Sequence, residues 1–507
     1  MQEGSQTLIQ CLLQAWRDPA RRAAVALLAD ETEIPCVELD RRVRAVAAAL
    51  QRRGIGSGDR VALAMARSPG QVAWILGVMA AGACVCPLEP GLAVQETARR
   101  MIAVGITALV RDDPSDPDPA LLPLPADRCW LAAELVQSAS DAGYREPDAR
   151  PGDAALLLFT SGSTGAPKGV LLTQGNLLAN ARGVIGHSAL GPTDRFLHVM
   201  PLHHANGLNN QLFAPLLAGA SIALCPRFKA EHMPRWMDRY RPTIITGVPT
   251  MYGRMLDQAF PPASVSGLRL ARCGSAPITE AQQRQIERHL GCDLVISYGL
   301  SEATCTSTMN PPGRRRIGSI GTVVEGQDVT LRGPDGRHFR TPGVEGEICI
   351  AGPTVMAGYV GAGGPGVLDA PPDGILRTGD LGRFDDDGYL YITGRMKDVI
   401  IRGGENLSPA RIESVLAEYP GVRQACVVGR AHPDLGEVPV ACVVRSGERE
   451  IEGAALIDFV AERLGRIYRP EEVLWLDALP ENAVGKVDRK TLAQQVGRTG
   501  EVSGMPG

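Results

Sequence analysis

The chain reads as an α/β protein: a large N-terminal domain of parallel-rich α/β sheets carries a β-rich subdomain and precedes a small α+β C-terminal domain. Three observations predict this. From about residue 43 to 298, helical and strand-like hydrophobic periods alternate, the pattern of parallel strands joined by crossover helices. After about residue 310, the turn-forming clusters NPPGRRRIGSIG, RGPDGRH and DDDGY crowd together and the strands shorten, which marks β-rich structure. From about Met396 a compact unit of ~100 residues begins, an ordinary size for a separate domain.

Each element follows from its local pattern. Val43, Val46, Ala47 and Leu50 share one helical face, and that helix stops before Gly54. A strand RVALAM (60–65), a helix over 70–81 and a short strand ACVCP (83–87) come next. DDPSDPDPALLPLP (112–125) is a proline-rich surface connection. Beyond it the pattern predicts a helix from about Gln174, strands near 220–225 and 242–246, and a helix from Pro249. The strand LRLARC (268–273), a helix from Thr279 and the strand DLVISY (293–298) close the alternating region. The last unit holds a helix over 409–418, strands ACVVG (425–429) and VPVACVV (438–444), a helix over 454–465 and a strand EVLWL (472–476). These patterns divide the chain into 1–395, 396–496 and a tail, 497–507, expected to be disordered.

Composition narrows the class. With 44% hydrophobic and 21% charged residues, the chain has the balance of a soluble globular protein. A net charge of −4 supplies no electrostatic footprint for nucleic acid or an anionic membrane. The longest apolar run, around Val72 to Pro87, is broken by glycines and falls short of the ~18–20 residues that span a bilayer. The N-terminus MQEGSQTLIQCLLQAW lacks a basic region followed by an apolar core, so no secretory signal is read and a cytoplasmic location is expected. The 12 cysteines are scattered without a C-x-x-C pair, which predicts reduced thiols rather than a metal cluster.

Chemistry concentrates first at residues 156–169, LLLFTSGSTGAPKG, where an apolar strand runs into hydroxyls, glycines and one lysine. Gly162, Gly165 and Gly169 let a backbone curl around an anion, Thr160, Ser161, Ser163 and Thr164 add donors, and Lys168 adds positive charge. The P-loop of kinases and ATPases does not fit. Counting from Gly162, Pro167 stands where that motif needs glycine, and Gly169 follows the lysine where a hydroxyl is required. The string TSGSTGAPKG instead resembles the phosphate loop of the adenylate-forming superfamily: acyl-CoA synthetases, peptide-synthetase adenylation domains and luciferases.

Six further segments resemble the same superfamily in its order. VMPLHHANGL (199–208) resembles the element whose histidine lies beside the substrate carboxylate, and alignment on the proline selects His204 rather than His203. In CGSAPIT (273–279), the resemblance assigns Gly274, Ser275, Ala276 and Pro277 to the wall shared by adenine and acyl group. SYGLSEAT (297–304) supplies Ser297, Tyr298 and Gly299 around adenine, Ser301 as a phosphate hydroxyl, and Glu302 as a hard oxygen ligand for Mg²⁺. RTGDLG (377–382) puts Asp380 in a turn, where its carboxylate would accept both hydroxyls of a ribose. YITGRMKDVIIRGGENLSPARIES (391–414) contributes Ile392 and Arg395 to the nucleotide side, Lys397 at the family's interdomain hinge, and Gly403 and Gly404 along a pantetheine passage. LPENAVGKVDRKTL (479–492) ends the series with Lys486, which matches the family's catalytic lysine. Arg466 and Arg469 are weaker candidates for holding the phosphates of CoA.

The resemblance implies an ATP-dependent carboxylic acid:CoA ligase that uses ATP, Mg²⁺ and coenzyme A, with Lys486, His204, Glu302 and Thr160 as its catalytic groups. KDVIIRGGENLSP looks more like acyl-CoA synthetases than like peptide-synthetase adenylation domains. The alternative is a stand-alone adenylation enzyme that loads a carrier protein's phosphopantetheine. Either would act on a small carboxylic acid as a monomer or homodimer. The expected pocket walls are 204–211, 247–251, 272–277 and 298–304; Asn206, Asn209, Asn210 and Gln211 hint at a polar acid, although amides at a helix start often serve only as caps.

Overall fold

The computed structural model describes residues 6–115, 117–137, 141–159, 167–447, 450–481 and 486–502. Two large sheets dominate the N-terminal domain. One has nine strands, and its centre runs parallel through Leu294–Tyr298, Leu270–Cys273, Ile244–Gly247, Arg195–His198, Ser221–Leu224 and Val25–Ala29. The other has eight strands, with parallel pairing from Ala154–Phe159 through Cys84–Pro87, Arg60–Ala64 and Ala108–Arg111 to Cys129–Leu131. The nine-stranded sheet turns antiparallel at both ends and the eight-stranded sheet at one, so each is mixed.

The largest core lies between the two sheets. Helices Leu8–Arg17, Cys36–Gln51, Pro69–Ala80 and Gln174–Ser188 fill that space and bury Trp16, Leu39, Val43, Trp74 and Leu177 against Phe196, Leu270, Val61 and Leu156. Helix Pro69–Ala80 is buried nearly all round, as its almost unbroken apolar sequence requires. A second core covers the other face of the nine-stranded sheet and joins it to the β-rich subdomain through Val329, Leu331, Ile348 and Ile350. That subdomain is a five-stranded sheet ending in Leu376–Phe384 and Leu390–Arg395.

After a 3₁₀ turn at Met396–Asp398 the C-terminal domain forms its own five-stranded sheet. Pro409–Leu416 and Gly453–Leu464 cover one face with a core of their own, and Arg489–Val502 covers the other. Two expectations change. The last helix runs to Val502, beyond Gly497, where the sequence reading begins a disordered tail. Within the connection over 112–125, Leu122 is buried and caps the outer core of the eight-stranded sheet.

Candidate active site

The phosphate-type loop joins an antiparallel hairpin, in which Leu158 pairs with Val170 and Phe159 with Gly169. Thr160, Ser161, Gly162, Ser163, Thr164 and Gly165 lie outside the described residues. Lys168 stands at the hairpin's second strand, with Nζ 3.8 Å from the centroid of the Tyr359 ring. The Tyr359 hydroxyl donates to Glu302 Oε1 at 2.7 Å, so one aromatic ring links the loop lysine to the acidic residue of the SYGLSEAT segment. Burial and the charge of Glu302 raise the Tyr359 phenol, which keeps it protonated and donating. Tyr359 escaped the sequence reading because one tyrosine in a glycine-rich strand, GYVG, carries no pattern.

Asp380 is not in a turn. It lies inside the strand Leu376–Phe384 and is buried, because the extended strand Leu390–Arg395 pairs alongside it and sets Arg395 opposite. Tyr298 Oη donates to Asp380 Oδ2 at 2.7 Å and Arg395 Nε donates to Oδ1 at 2.6 Å. Each carboxylate oxygen keeps a second acceptor site, so a diol can still be bound. The Tyr298 hydroxyl is pushed well above its usual range by burial and by Asp380.

Close backbone approaches shape the walls. A Cβ on Gly274 would stand 2.9 Å from both Ser297 oxygens, and one on Gly299 would lie 1.9 Å from the Cys305 carbonyl. Ser275 and Thr304 adopt left-handed φ values of 69° and 68°, an uncommon conformation for non-glycine residues that marks local strain in both wall segments. Ser301 and Glu302 occupy the 3₁₀ turn Ser301–Ala303 between them.

The amides over 206–211 are not helix caps. Asn206–Phe213 is a π-helix, a form that recurs at functional sites. Asn210 Nδ2 donates to Thr306 Oγ1 at 2.9 Å, and Asn180 Nδ2 donates to the Thr306 carbonyl at 2.8 Å. An anchor that sequence reasoning missed lies beneath this helix. Arg67 donates to the carbonyls of Cys225, Met200 and His198 at 2.5–2.6 Å, and to His198 Nδ1 at 2.7 Å. His198 therefore carries its proton on Nε2, which donates to the Gly207 carbonyl at 2.8 Å. Arg67 thus ties the eight-stranded sheet to the segment bearing His204. Only long-range pairing creates this clamp.

The two adjacent histidines differ in what surrounds them. Their rings lie 4.4 Å apart. His204 is pushed down to about 4 by burial and by the charge of Lys486, whereas His203 is lowered to about 3 by burial, His204, Arg100 and Arg67. His204 is thus the one that faces the C-terminal domain's lysine. Lys486 is itself lowered by burial and by Arg395, while Glu302 and Asp380 pull the other way. The structure therefore brings Lys486 within electrostatic reach of His204, Glu302, Asp380 and Arg395.

Local contacts aim that lysine. Glu481 and Val487 form an isolated β-bridge that closes its loop, and Glu481 pairs with Arg254 of the N-terminal domain at 2.7 Å. Behind the loop, Arg489 bonds Glu413 at 2.7 Å and the Val427 carbonyl at 2.9 Å. Glu413 is thus a structural anchor. Lys397 lies in the 3₁₀ turn directly after Arg395, and Ser408 Oγ reaches back across that turn to the Thr393 carbonyl at 2.6 Å. Ile392 packs against the subdomain core. Gly403 and Gly404 make a left-handed turn with φ values of 58° and 90°, away from the cluster around Lys486 in sequence but on the same domain. Arg466 and Arg469 are exposed at the 3₁₀ turn Arg466–Tyr468, and the Arg469 carbonyl accepts from Arg402 at 2.8 Å.

Comparison with known proteins agrees with this geometry. Residues 13–360 match the family model for AMP-binding enzymes, and residues 411–486 match that for the AMP-binding enzyme C-terminal domain. A sulfoacetate–CoA ligase from Cupriavidus necator is 37% identical, covering 87% of this chain and 88% of that protein. An indoleacetate–CoA ligase from Aromatoleum aromaticum is 34% identical over 92% of this chain and 94% of its own. The ATP-bound crystal structure of MatB from Rhodopseudomonas palustris superposes with a TM-score of 0.88 at 30% identity, covering 96% of this chain and 98% of that one. The chain belongs to the AMP-binding enzyme family, on its acyl-CoA synthetase branch, and is an ATP-dependent acid:CoA ligase.

Proposed function

We propose that the two half-reactions of this ligase are divided between the two positions of its C-terminal domain, with Lys486 serving only the first. The observation that carries the reading is the electrostatic contact of Lys486 with His204, Glu302, Asp380 and Arg395 across the domain boundary. In the first half-reaction a carboxylate oxygen attacks the α-phosphorus of ATP and pyrophosphate leaves. Lys486 bridges the incoming carboxylate and the α-phosphate, and His204 lies beside the acid as a neutral imidazole. Asp380 and Arg395 take the ribose side, Tyr298 flanks the adenine, and Thr160 to Lys168 hold the departing phosphates. A well-aimed donor in a water-poor site contributes about 3–4 kcal/mol.

Glu302 suits Mg²⁺. Its carboxylate is fixed by Tyr359 at one oxygen, and among the described residues no group of three or more His, Cys, Asp or Glu side chains could hold a metal. One carboxylate is the usual protein share of a Mg²⁺ site completed by substrate phosphates. The ion would supply neutralisation of phosphate charge.

In the second half-reaction a thiolate attacks the acyl carbon and AMP leaves. The lysine must withdraw to admit it, so the C-terminal domain turns about Lys397 and presents Gly403 and Gly404 to pantetheine, with Arg469 near the nucleotide end of CoA. Such closure and opening on a few hinge residues is ordinary domain motion. CoA is the acceptor; a carrier protein's phosphopantetheine is the competing reading for the same thiol position. The free cysteines and the need for ATP and CoA support a cytoplasmic setting. The test mixes enzyme, ATP and a carboxylic acid panel with either CoA or a phosphopantetheinylated carrier protein. Pyrophosphate release followed by acyl-CoA is expected, and thioester on the carrier alone would overturn the assignment of the acceptor.

A further inference from the structure

Arg272 has no place in the scheme above, yet its setting is unusual. It sits in the strand Leu270–Cys273 at the centre of the nine-stranded sheet and is completely buried. Among the described residues none of its three guanidinium nitrogens has a hydrogen-bond partner. No carboxylate acts on it: the anion-forming groups that do are the Cys305 thiol and the Tyr252 phenol. Burial raises both of those, so both are neutral at physiological pH. Burial lowers Arg272 only to about 10, and it remains a cation. A buried charge without a counter-ion is among the costliest arrangements a fold can hold.

Arg272 is not alone in being unpaired among the described residues. Leu270 and Arg272 point to the same sheet face, where Leu270 joins the inter-sheet core, while Ala271 and Cys273 point to the other. Thr246 is the direct cross-strand neighbour of Arg272, and its buried hydroxyl also lacks a partner among the described residues. Gln211, fully buried on the π-helix Asn206–Phe213, has neither amide atom bonded among the described residues. The strand bearing Arg272 leads directly into the wall Gly274–Pro277, two residues or about 6–7 Å further along. Cys305, which senses the guanidinium, belongs to the opposite wall after Thr304.

We propose that this ligase takes acids bearing a second anionic group, a carboxylate or a sulfonate, which Arg272 neutralises in a bidentate pair while the neighbouring Thr246 hydroxyl donates to the anion. A neutral hydroxyl or carbonyl would satisfy one or two of the donors and leave the charge uncompensated; an anion with two oxygens able to accept side by side matches the fork and the charge. The inference rests on the ligase reading, since it specifies the substrate of that same site.

The experiment compares isosteric pairs that differ only in the second charge: succinate with succinamate, glutarate with glutaramate, terephthalate with terephthalamate, and sulfoacetate with sulfamoylacetate. Pyrophosphate release should favour the dianion of at least one pair by about a hundredfold or more in kcat/KM, the scale set by leaving a buried charge unpaired. Carboxylate and sulfonate pairs identify which anion is used. Arg272→Met should erase that preference, mainly through KM. In the ligand-free enzyme it should leave the Tm unchanged or raise it, because an uncompensated charge has been removed. A purely structural arginine would lower it. Equal use of both members of every pair by the wild type, or a preference that survives Arg272→Met, overturns the proposal. If no acid supports pyrophosphate release, thermal shifts separate the two readings. Stabilisation by dianions that Arg272→Met abolishes sinks the ligase reading and retains the anion site, and no stabilisation sinks both.

Discussion

In the proposed mechanism Lys486 must be charged to hold carboxylate and phosphate together, yet burial and Arg395 both disfavour its charge. Its pKa in the folded enzyme therefore lies below that of a free lysine, and the active ammonium is lost as pH rises through this lowered value. The pH profile of kcat/KM for adenylation should accordingly show an alkaline limb that falls before the ordinary lysine range, and Lys486→Arg should move that limb to higher pH. A limb unchanged by that substitution would assign it to another group. His204, held near 4, stays neutral through the physiological range and contributes only to the acid limb. Lys486→Ala should remove adenylation by about 100–1,000-fold while leaving thioester formation from preformed acyl-adenylate largely intact, as single-turnover assays of each half-reaction would register. Equal loss of both would refute the division of labour.

At the scale of elements, the π-helix Asn206–Phe213 depends on one glycine. A Cβ on Gly207 would lie 2.0 Å from the Pro201 carbonyl, a backbone atom with no freedom to rotate away. Gly207→Ala should therefore cost about 2–3 kcal/mol, read as a Tm lower by roughly 4–10 °C, and should raise KM for the acid because the π-helix carries the pocket amides. An unchanged Tm would mean that the π-turn has slack that the Pro201 contact denies. The same element explains why its sequence was deceptive. NGLNN begins like a capped α-helix, but its amides bond to Asn180 and Thr306 across the core, partners more than twenty residues away in either direction. Asp380 misled in the same way: a glycine beside it suggests a turn, yet pairing with Leu390–Arg395 keeps the segment extended.

For the whole molecule, the proposed division of the half-reactions requires two arrangements of one chain, and the contacts across the domain boundary suit a reversible docking. The Arg254–Glu481 pair is largely exposed, the kind of contact worth at most about 1 kcal/mol. The turn at Met396–Asp398 has no buried residue, so it can change φ and ψ without breaking a core. Lys397→Pro should fix the hinge near the docked position, retaining adenylation but slowing thioester transfer by about tenfold or more in single-turnover assays. Faster or unchanged transfer would show that the hinge lies elsewhere.

Much of this architecture could be read before any coordinates. The order of seven motifs, from Thr160 to Lys486, determined the family and the chemistry, because such motifs are short and locally encoded. Element identities were equally legible, since helix and strand periods are local properties: the helix from Gln174 and the strands over 268–273 and 293–298 formed within two residues of their expected bounds. The tertiary structure alone decided which residues share a site and in what charge state. Arg67 reaching His198, Tyr359 joining Lys168 to Glu302, and Arg272 left without a counter-ion all arise from strands distant in sequence packing side by side. Burial, which sets the cost of a charge, is a property of the assembled fold and of no segment by itself.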